Sequence, residues 1–128
     1  MQTGHGCFHW NELVSLDVAV AKKFYSEVLG WTYEDVPMPD GTVYVLCKSG
    51  DDMVGGMFEA TPEMVTSGQD HWLSYIEVDD VDQRVKAVEN AGGMILRAPF
   101  DVEMAGRIAI VKQGGTGSAI GLIKPNSA

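Results

Sequence analysis

Hydrophobic and polar side chains alternate along residues 8–15, which places Trp10 and Glu12 on one face and predicts a β-strand. Asp17 is a favourable N-cap for a following helix, and Gly30 supplies the left-handed residue that ends it. Apolar residues recur between them at three- and four-residue spacing, and we expect these to form the buried helix face: Val18, Ala21, Phe24, Tyr25 and Val28. Further strand patterns follow at residues 31–36, 42–48 and 53–58.

The same order of elements returns in the second half of the chain. The dipeptide His9-Trp10 recurs as His71-Trp72 at an offset of 62 residues (71 − 9 = 62), and the same offset carries Asp17 to Asp79. A repeat of this length indicates two copies of one structural unit. The strands predicted in the second copy cover residues 71–78, 94–97, 106–112 and 118–124, with a helix after the first strand and a loop at residues 98–105.

The repeat predicts an α+β fold made of two β-α-β-β-β modules. Module one covers about residues 7–59, a linker covers 60–70, and module two covers about 71–124, all within a single domain of residues 1–128. A small sheet with a helix on one face must bury its other face as well. We therefore expect the modules to pair, within a chain or across a dimer, into a curved eight-stranded cleft with the helices outside.

Composition narrows the class of protein. The chain is 45% hydrophobic and 21% charged, which is typical of a globular protein, and its net charge is −9. The nine basic residues are scattered, which argues against a nucleic-acid partner. No apolar run approaches the roughly 20 residues that span a membrane, and the N-terminus lacks the pattern of a signal peptide. The expected location is the cytoplasm, with no membrane partner, and we expect Cys7 and Cys47 to be small buried hydrophobes.

Several stretches resemble a known family: GCFHWNELVSLDVAVAKKFYSEVLGW, PMPDG, GGMFEATPEM, HWLSYIEVDDVDQRV and AGGMILRAPFDVEMAGRIAIV. They are similar to the vicinal oxygen chelate superfamily of glyoxalase I, bleomycin-resistance proteins and extradiol dioxygenases, above all to its small bacterial glyoxalase-like branch. The resemblance covers about residues 6–125. It implies the paired-module fold and a homodimer, whereas the superfamily hosts several unrelated chemistries on one scaffold.

The resemblance also implies four positions at which superfamily enzymes hold a divalent metal through His, Gln or Glu. They fall on Trp10, on Gly55 or Gly56, on Leu73 (or Trp72 by the internal repeat), and on Gly121. None of these residues can coordinate a metal. No metal or other cofactor is therefore expected. A divalent metal remains an alternative through His9 and His71, which lie one residue earlier and should point to the opposite face.

The cleft lining predicted from these arguments comprises the following ligand-binding residues: Trp10, Glu12, Trp72, Leu73, Tyr75, Glu77, Arg107 and Gly121. Aromatic side chains there would suit a flat or cationic organic ligand, or else would simply fill the cleft as core. Glu12 is the candidate catalytic residue, because burial in a cleft would raise its pKa and fit it for acid/base chemistry. The structural alternative is that Glu12 pairs with Arg107.

Two functions of different class follow from these candidates. The first is a protein without the usual metal ligands that binds a small, cationic or aromatic organic molecule in its cleft. The second is a glyoxalase-like lyase or isomerase that uses non-standard metal ligands or acid/base chemistry by Glu12. A third alternative is a structural or partner-binding protein whose cleft is filled by its own side chains.

Overall fold

A computed structural model describes residues 3–65 and 68–127 of the chain. Its elements are β1 (Phe8–Ser15), α1 (Val18–Leu29), β2 (Thr32–Pro37), β3 (Val43–Ser49), β4 (Asp52–Glu59), β5 (His71–Glu77), α2 (Val81–Asn90), β6 (Met94–Val102), β7 (Gly106–Lys112) and β8 (Ala119–Pro125). The order β-α-β-β-β occurs twice, which confirms the predicted α+β class and its repeated module. Residues 66 and 67 of the predicted linker, with residues 1, 2 and 128, lie outside the described residues.

The chain divides into two compact units. The first unit comprises residues 11–73, and the second comprises residues 1–10 together with 74–128. Both divisions fall inside strands, β1 and β5. The module limits drawn from the repeat, 7–59 and 71–124, do not follow this division and stay a prediction.

The first unit places its core between α1 and one face of its strands. The strands lie in the order β2-β3-β4-β1, with β1 parallel to β4 so that Glu12 is opposite Gly56. Helix α1 begins at the predicted N-cap, because the Asp17 carboxylate accepts a hydrogen bond from the backbone N–H of Val20 at 3.2 Å. The predicted Gly30 ends the helix with a positive φ of 74°. The core of this unit is formed by Leu13, Ala21, Val45, Cys47 and Met57.

The second unit repeats this plan with strands in the order β5-β8-β7-β6. Strand β5 is parallel to β8, with Tyr75 opposite Gly121. The core between the strands and α2 is formed by Val78, Val81, Val85, Ala109, Val111 and Leu122. The N-cap of α2 is Asp80, which accepts from the N–H of Gln83 at 3.1 Å, so the repeat offset does not carry Asp17 to the residue that caps α2.

Asp79, which the repeat aligned with the first N-cap, has another role. Its carboxylate accepts two hydrogen bonds from the guanidinium of Arg84, at 2.7 and 2.8 Å. These bonds lower the pKa of Asp79 to about 2. The repeat aligns the first N-cap with Asp79, but the residue that caps α2 is the next one, Asp80. Both aspartates are suitable caps, and only the one directly before the first helical turn can reach its free N–H groups.

The predicted loop at residues 98–105 is wrong in its first half, since β6 continues to Val102. The strand includes Pro99, which has no N–H to donate. The strand accommodates this proline because it lies at the end of the unit's strand order, and because its pairing with β7 shifts register between Ile95 and Arg97 and again between Arg97 and Phe100. The guanidinium carbon of Arg97 lies 3.7 Å from the ring centroid of Phe100 across this irregular segment.

The apolar face predicted for α1 is too wide. Ala21 is buried, and Val18 and Tyr25 pack against the core, but Phe24 and Val28 are 55% and 59% exposed. The sheet contacts a narrower stripe of the helix than its apolar residues cover. Neither α1 nor α2, in the part of the chain that the structure describes, is both long and apolar enough to cross a membrane.

Candidate functional site

A carboxylate and a phenol meet on the face of the first unit opposite α1. Glu12, Tyr44 and Gly56 alternate along their strands with core residues that face α1, so their side chains belong to the opposite face. The hydroxyl of Tyr44 donates to Oε2 of Glu12 at 2.9 Å. We call Glu12, Tyr44 and Gly56 the Glu12–Tyr44 site.

Gly56 lets the ring of Tyr44 lie directly against the backbone of β4. A Cβ placed on Gly56 would overlap the hydroxyl and ring carbons of Tyr44. The absence of a side chain at this position therefore makes room for the phenol that reaches Glu12.

Two apolar side chains lie on the same face as the Glu12–Tyr44 site. Leu46 is opposite Gly56 in the strand register, and Phe58 follows two residues later on the same face. Both side chains are partly buried. Farther along this face, Lys48 and Glu34 form an ion pair with Nζ and Oε1 3.5 Å apart. A carboxylate flanked by a phenol and apolar side chains suits a ligand that presents a positive charge or a hydrogen-bond donor next to a hydrophobic body.

The second unit contains the same pairing of a tyrosine with a glycine. Tyr75 is opposite Gly121 in the parallel pair β5–β8, and only 6% of Tyr75 is exposed. A Cβ on Gly121 would overlap the ring of Tyr75. Both units therefore carry a tyrosine ring in the volume that a side chain on the last strand of the module would occupy.

Glu77 lies two residues beyond Tyr75 on β5 and therefore on the same face. Its carboxylate accepts from the N–H of Gly4 at 3.2 Å, and its Oε1 lies 3.7 Å from Nδ1 of His9. Two side chains this close lie on one face, so the expectation that His9 points away from the face of Tyr75 is wrong.

A β-bulge just before β1 accompanies this orientation of His9. The N–H of Gly6 donates to the carbonyl of Glu77, and the N–H of Glu77 donates to the carbonyl of Cys7. Two residues thus oppose one, and Gly6 has the positive φ of 86° that such a bulge requires. Simple alternation counted from the sequence does not include this extra residue.

The divalent metal that the resemblance implies does not fit the residues present. One of the four expected donor positions is Gly55 or Gly56, and another is Gly121. Tyrosine rings fill the space that a donor side chain would need at Gly56 and Gly121, and a Cβ on Gly55 would lie 2.8 Å from the backbone carbonyl oxygen of Asn11. Trp10 and Leu73 occupy the other two positions and have no suitable donor atom. Within residues 3–65 and 68–127, no three His, Cys, Asp or Glu side chains are grouped around one point.

Trp72 lies on the α1 side of its strand and not with the predicted cleft residues. Its indole N–H donates to the hydroxyl of Tyr25 at 3.0 Å, and its ring packs edge-on against Tyr25 and Trp31. Leu73, the next residue, points to the opposite side and is 5% exposed. Leu73 and Trp72 were the two alternatives for the third metal-ligand position, and Leu73 is the one that lies on the face opposite α1.

Arg107 is also misplaced by the sequence prediction. It alternates with Ile108 and shares the parity of Ala109, which packs against α2, so it lies on the helix side of β7. Its guanidinium donates to Asp82 at 2.8 and 3.0 Å and to Asp101 at 3.2 Å, and these bonds raise the pKa of Arg107. The carboxylates that hold Arg107 are thus on its own unit, and Glu12 is held by Tyr44.

Tyr44 is the residue of the candidate site that sequence reasoning missed. A signal for it existed, because Val43, Val45 and Cys47 alternate with Tyr44 and Leu46 and would place the tyrosine on the face opposite α1. Its contact with Glu12 was not visible, since it depends on which strand lies between β3 and β1. Trp10, on β1, is partly buried, and its predicted role as a cleft wall stays a prediction.

Comparison with known proteins identifies the family. Residues 8–116 match the model of the Glyoxalase/Bleomycin resistance protein/Dioxygenase superfamily, and the chain belongs to this superfamily. The resemblance found in the sequence is thereby confirmed, and so is the fold class that it implied.

Two curated relatives are bacterial. The chain is 35% identical over 122 residues to a protein of Mycobacterium tuberculosis (strain CDC 1551 / Oshkosh) named "Putative glyoxylase CFP32", covering 94% of this chain and 46% of the relative. It is 33% identical over 112 residues to "Anthracycline biosynthesis protein DnrV" of Streptomyces peucetius, covering 79% of this chain and 41% of the relative. The chain thus spans about half the length of the curated relatives that it matches.

Solved structures share the fold at low sequence identity. A methylmalonyl-CoA epimerase from Mycobacterium tuberculosis matches with a TM-score of 0.67 and 14% identity, covering 99% of this chain and 94% of that chain. The hypothetical protein BH1468 from Bacillus halodurans C-125 matches with a TM-score of 0.70 and 13% identity, covering 98% of each chain. At these identities the likeness concerns the fold alone.

Proposed function

We propose that this protein binds a small organic cation with an aromatic or apolar body at the Glu12–Tyr44 site, without a metal ion. The observation that carries the proposal is that a tyrosine ring covers a glycine at Gly56 and again at Gly121, at positions where the resemblance implies metal donors. The same volume that would serve a metal ligand is used in both units to hold a phenol.

The chemistry of the site supports this class of ligand. The Glu12 carboxylate accepts from Tyr44, and the partly buried side chains of Leu46 and Phe58 lie on the same face. A carboxylate in apolar surroundings is stabilised by a neighbouring positive charge, and an aromatic ring next to it attracts a cation further. The net charge of −9 also favours the approach of cations.

A thermal-shift experiment tests the proposal with three probes of similar size. Benzyltrimethylammonium carries a positive charge, benzyl alcohol is neutral and benzoate is negative. A ligand that binds only the folded state stabilises it by about 2.7 kcal/mol at one hundred times its Kd. We expect the melting temperature to rise with benzyltrimethylammonium and to stay unchanged with benzoate. Equal shifts with all three probes, or a shift with none, would contradict a cation site.

Two variants locate the binding. Glu12→Gln removes the charge and Tyr44→Phe removes the hydroxyl that holds it, and each should abolish most of the shift. Glu34→Gln is the matched control, since it makes the same change on the same face in a residue that pairs with Lys48. A shift that survives in Glu12→Gln but disappears in Glu34→Gln would place the cation elsewhere.

A second candidate function is that of a glyoxalase-like lyase or isomerase in which Glu12 moves a proton. The contact of Glu12 with Tyr44 favours it, because a carboxylate can take a proton from carbon while a phenol holds it in position. The name of a curated relative, a glyoxylase, supports the same class of reaction.

Proton exchange distinguishes the enzyme from the binding protein. Methylmalonyl-CoA incubated with the protein in D₂O would exchange its acidic C–H for deuterium if Glu12 removes the proton and returns a deuteron from solvent. NMR measures the loss of the proton signal. Exchange that requires Glu12 and persists in Glu34→Gln would support the isomerase. No exchange beyond the protein-free rate would remove this substrate from consideration.

The remaining expectations from the sequence belong to this proposal. The resemblance implies that the protein acts as a homodimer, and the cytoplasm is its expected location. Gel filtration and fractionation of cells that produce the protein would test these two expectations separately.

A further inference from the structure

Helix α1 carries a line of exposed apolar side chains on its outer side. Val20, Phe24 and Val28 are 64%, 55% and 59% exposed. They are spaced four residues apart, so they form one continuous line along the helix. We call these three residues the α1 outer stripe.

The corresponding side of α2 is polar, which gives an internal comparison. The exposed residues of α2 are Asp82, Gln83, Lys86, Ala87, Glu89 and Asn90. The two helices occupy the same place in the repeated module, so the fold itself does not require an apolar outer side. Single exposed apolar residues are common, whereas a contiguous line of them indicates a surface that another molecule covers.

A groove borders the stripe on the same unit. It has a volume of about 280 Å³ and is lined by Val20, Phe24, Tyr25, His71 and Trp72, among others. The hydrogen bond from the Trp72 indole to Tyr25 fixes the aromatic wall of the groove, and Trp72 keeps 39% of its surface exposed. The stripe and groove therefore present both a ridge and a hollow, which a self-complementary interface requires.

Charges beside the stripe indicate which molecule covers it. Lys23 and Glu27 are both exposed and lie four residues apart along the same flank of the stripe. When two such helices pack antiparallel about a two-fold axis, Lys23 of each copy faces Glu27 of the other. Because the partner helix runs in the opposite direction, its two charges come in the reverse order, and the surface is complementary to its own copy.

We propose that the α1 outer stripe docks against the same stripe of a second copy of this chain, with the two α1 helices antiparallel. The apolar line forms the centre of this interface, and the two Lys23–Glu27 pairs lie at its rim. Core residues face the other side of α1, and the Glu12–Tyr44 site lies on the opposite face of the sheet. The interface therefore leaves that site uncovered, and the proposal stands independently of the ligand.

Sedimentation velocity of the full chain tests the interface over a range of concentrations. We expect the mass of two chains for the wild type, and a Kd for dimer dissociation raised about tenfold or more in Phe24→Glu and in Val28→Glu. Ala87→Glu, on the exposed side of α2, is the matched control and should leave the dimer unchanged. Far-UV circular dichroism confirms that each variant is folded, and two separate stripe variants guard against a local packing effect of Phe24.

Charge reversal tests the antiparallel arrangement. Lys23→Glu and Glu27→Lys should each weaken the dimer, because each places like charges opposite one another in both pairs. The double variant Lys23→Glu/Glu27→Lys should restore it, since both pairs are then opposite in sign again. A wild type that stays monomeric at every concentration would overturn the proposal. So would a dimer that neither stripe variant weakens, because its interface would then lie elsewhere.

Discussion

The ring of Tyr75 lies against Gly121, its neighbour on the adjacent parallel strand, and fills the space where any other residue would place its side chain. The relationship between Tyr44 and Gly56 in the first unit is of the same kind. Both glycines occupy positions where the resemblance to the superfamily implies a metal ligand. The same arrangement, a glycine covered by a phenol ring, thus occurs in both copies of the repeat.

Filling the space above Gly121 should destabilise the protein. Gly121→Ala introduces a methyl group that overlaps the Tyr75 ring, and overpacking of this kind typically costs about 1–3 kcal/mol. Urea unfolding measures the loss. In a Tyr75→Ala background the same substitution should cost almost nothing, because the ring is gone. An equal cost in both backgrounds would mean that the glycine is needed for its backbone and not for the ring.

Divalent metals should leave the melting temperature unchanged. Protein stripped with a chelator is heated with and without Ni²⁺, Zn²⁺, Mn²⁺ and Fe²⁺. We expect no selective rise, because Gly56 and Gly121 supply no donor and their space is filled. A clear rise with one metal would contradict this expectation. It would direct attention to His9 and Glu77, whose Nδ1 and Oε1 are 3.7 Å apart, as non-standard ligands.

Stability should fall in alkaline solution because of a buried thiol. Cys47 is 0% exposed, and burial raises its pKa from 9.0 to about 11, against the opposing effect of the charge on Lys22. The folded protein therefore holds this proton more tightly than the unfolded chain does. The resulting stabilisation is complete below about pH 9 and is lost as the pH rises through about 11, with roughly 2 kcal/mol lost near pH 10.5.

Cys47→Ala isolates this effect. The variant lacks the thiol, so the difference between its unfolding free energy and that of the wild type should shrink between pH 8.5 and pH 10.5. Tyrosine ionisation acts equally on both proteins and cancels in the difference. A difference that stays constant over this range would show that Cys47 keeps an ordinary pKa in the folded protein.

Removal of Arg107 should not affect ligand binding. Its guanidinium is held by Asp82 and Asp101 on the helix side of β7. We expect Arg107→Ala to bind benzyltrimethylammonium with an affinity within about twofold of the wild type, and to change the melting temperature little because exposed ion pairs contribute weakly. Titration followed by fluorescence or calorimetry measures the affinity. A large loss of affinity would indicate that Arg107 contributes to ligand binding.

Local sequence patterns were sufficient to predict the helices and most of the strand limits. Alternation gave the limits of β1 at Phe8–Ser15, and the capping residues Asp17 and Gly30 fixed both ends of α1. These signals lie within a few residues of the structure that they specify. The loop predicted at residues 98–105 was wrong in its first half, where an edge strand with register shifts tolerates Pro99 as an inner strand would not.

The candidate site could be predicted only in part, since it depends on contacts between strands distant in the chain. Glu12 was recognised as a candidate from its face, but its partner Tyr44 is known only from the strand order β3-β4-β1. The approach of His9 to Glu77 joins segments distant in the chain, which alternation within β1 cannot reveal. On α1 the pattern is apolar on two sides, and which side meets the sheet is decided by packing and not by the helix itself.

The parallel pairing of β1 with β4 also has a consequence for the order of folding. Strands β2, β3 and β4 are joined by short turns and can form an antiparallel sheet from local contacts, whereas β1 must wait until β4 exists to receive it. Closing so long a segment of chain is slow, since its entropy is lost before the contacts are gained. The strand that carries Glu12 therefore joins late in the folding of its unit. The Glu12–Tyr44 hydrogen bond forms only after that step, so the proposed site should be completed late in the folding of its unit.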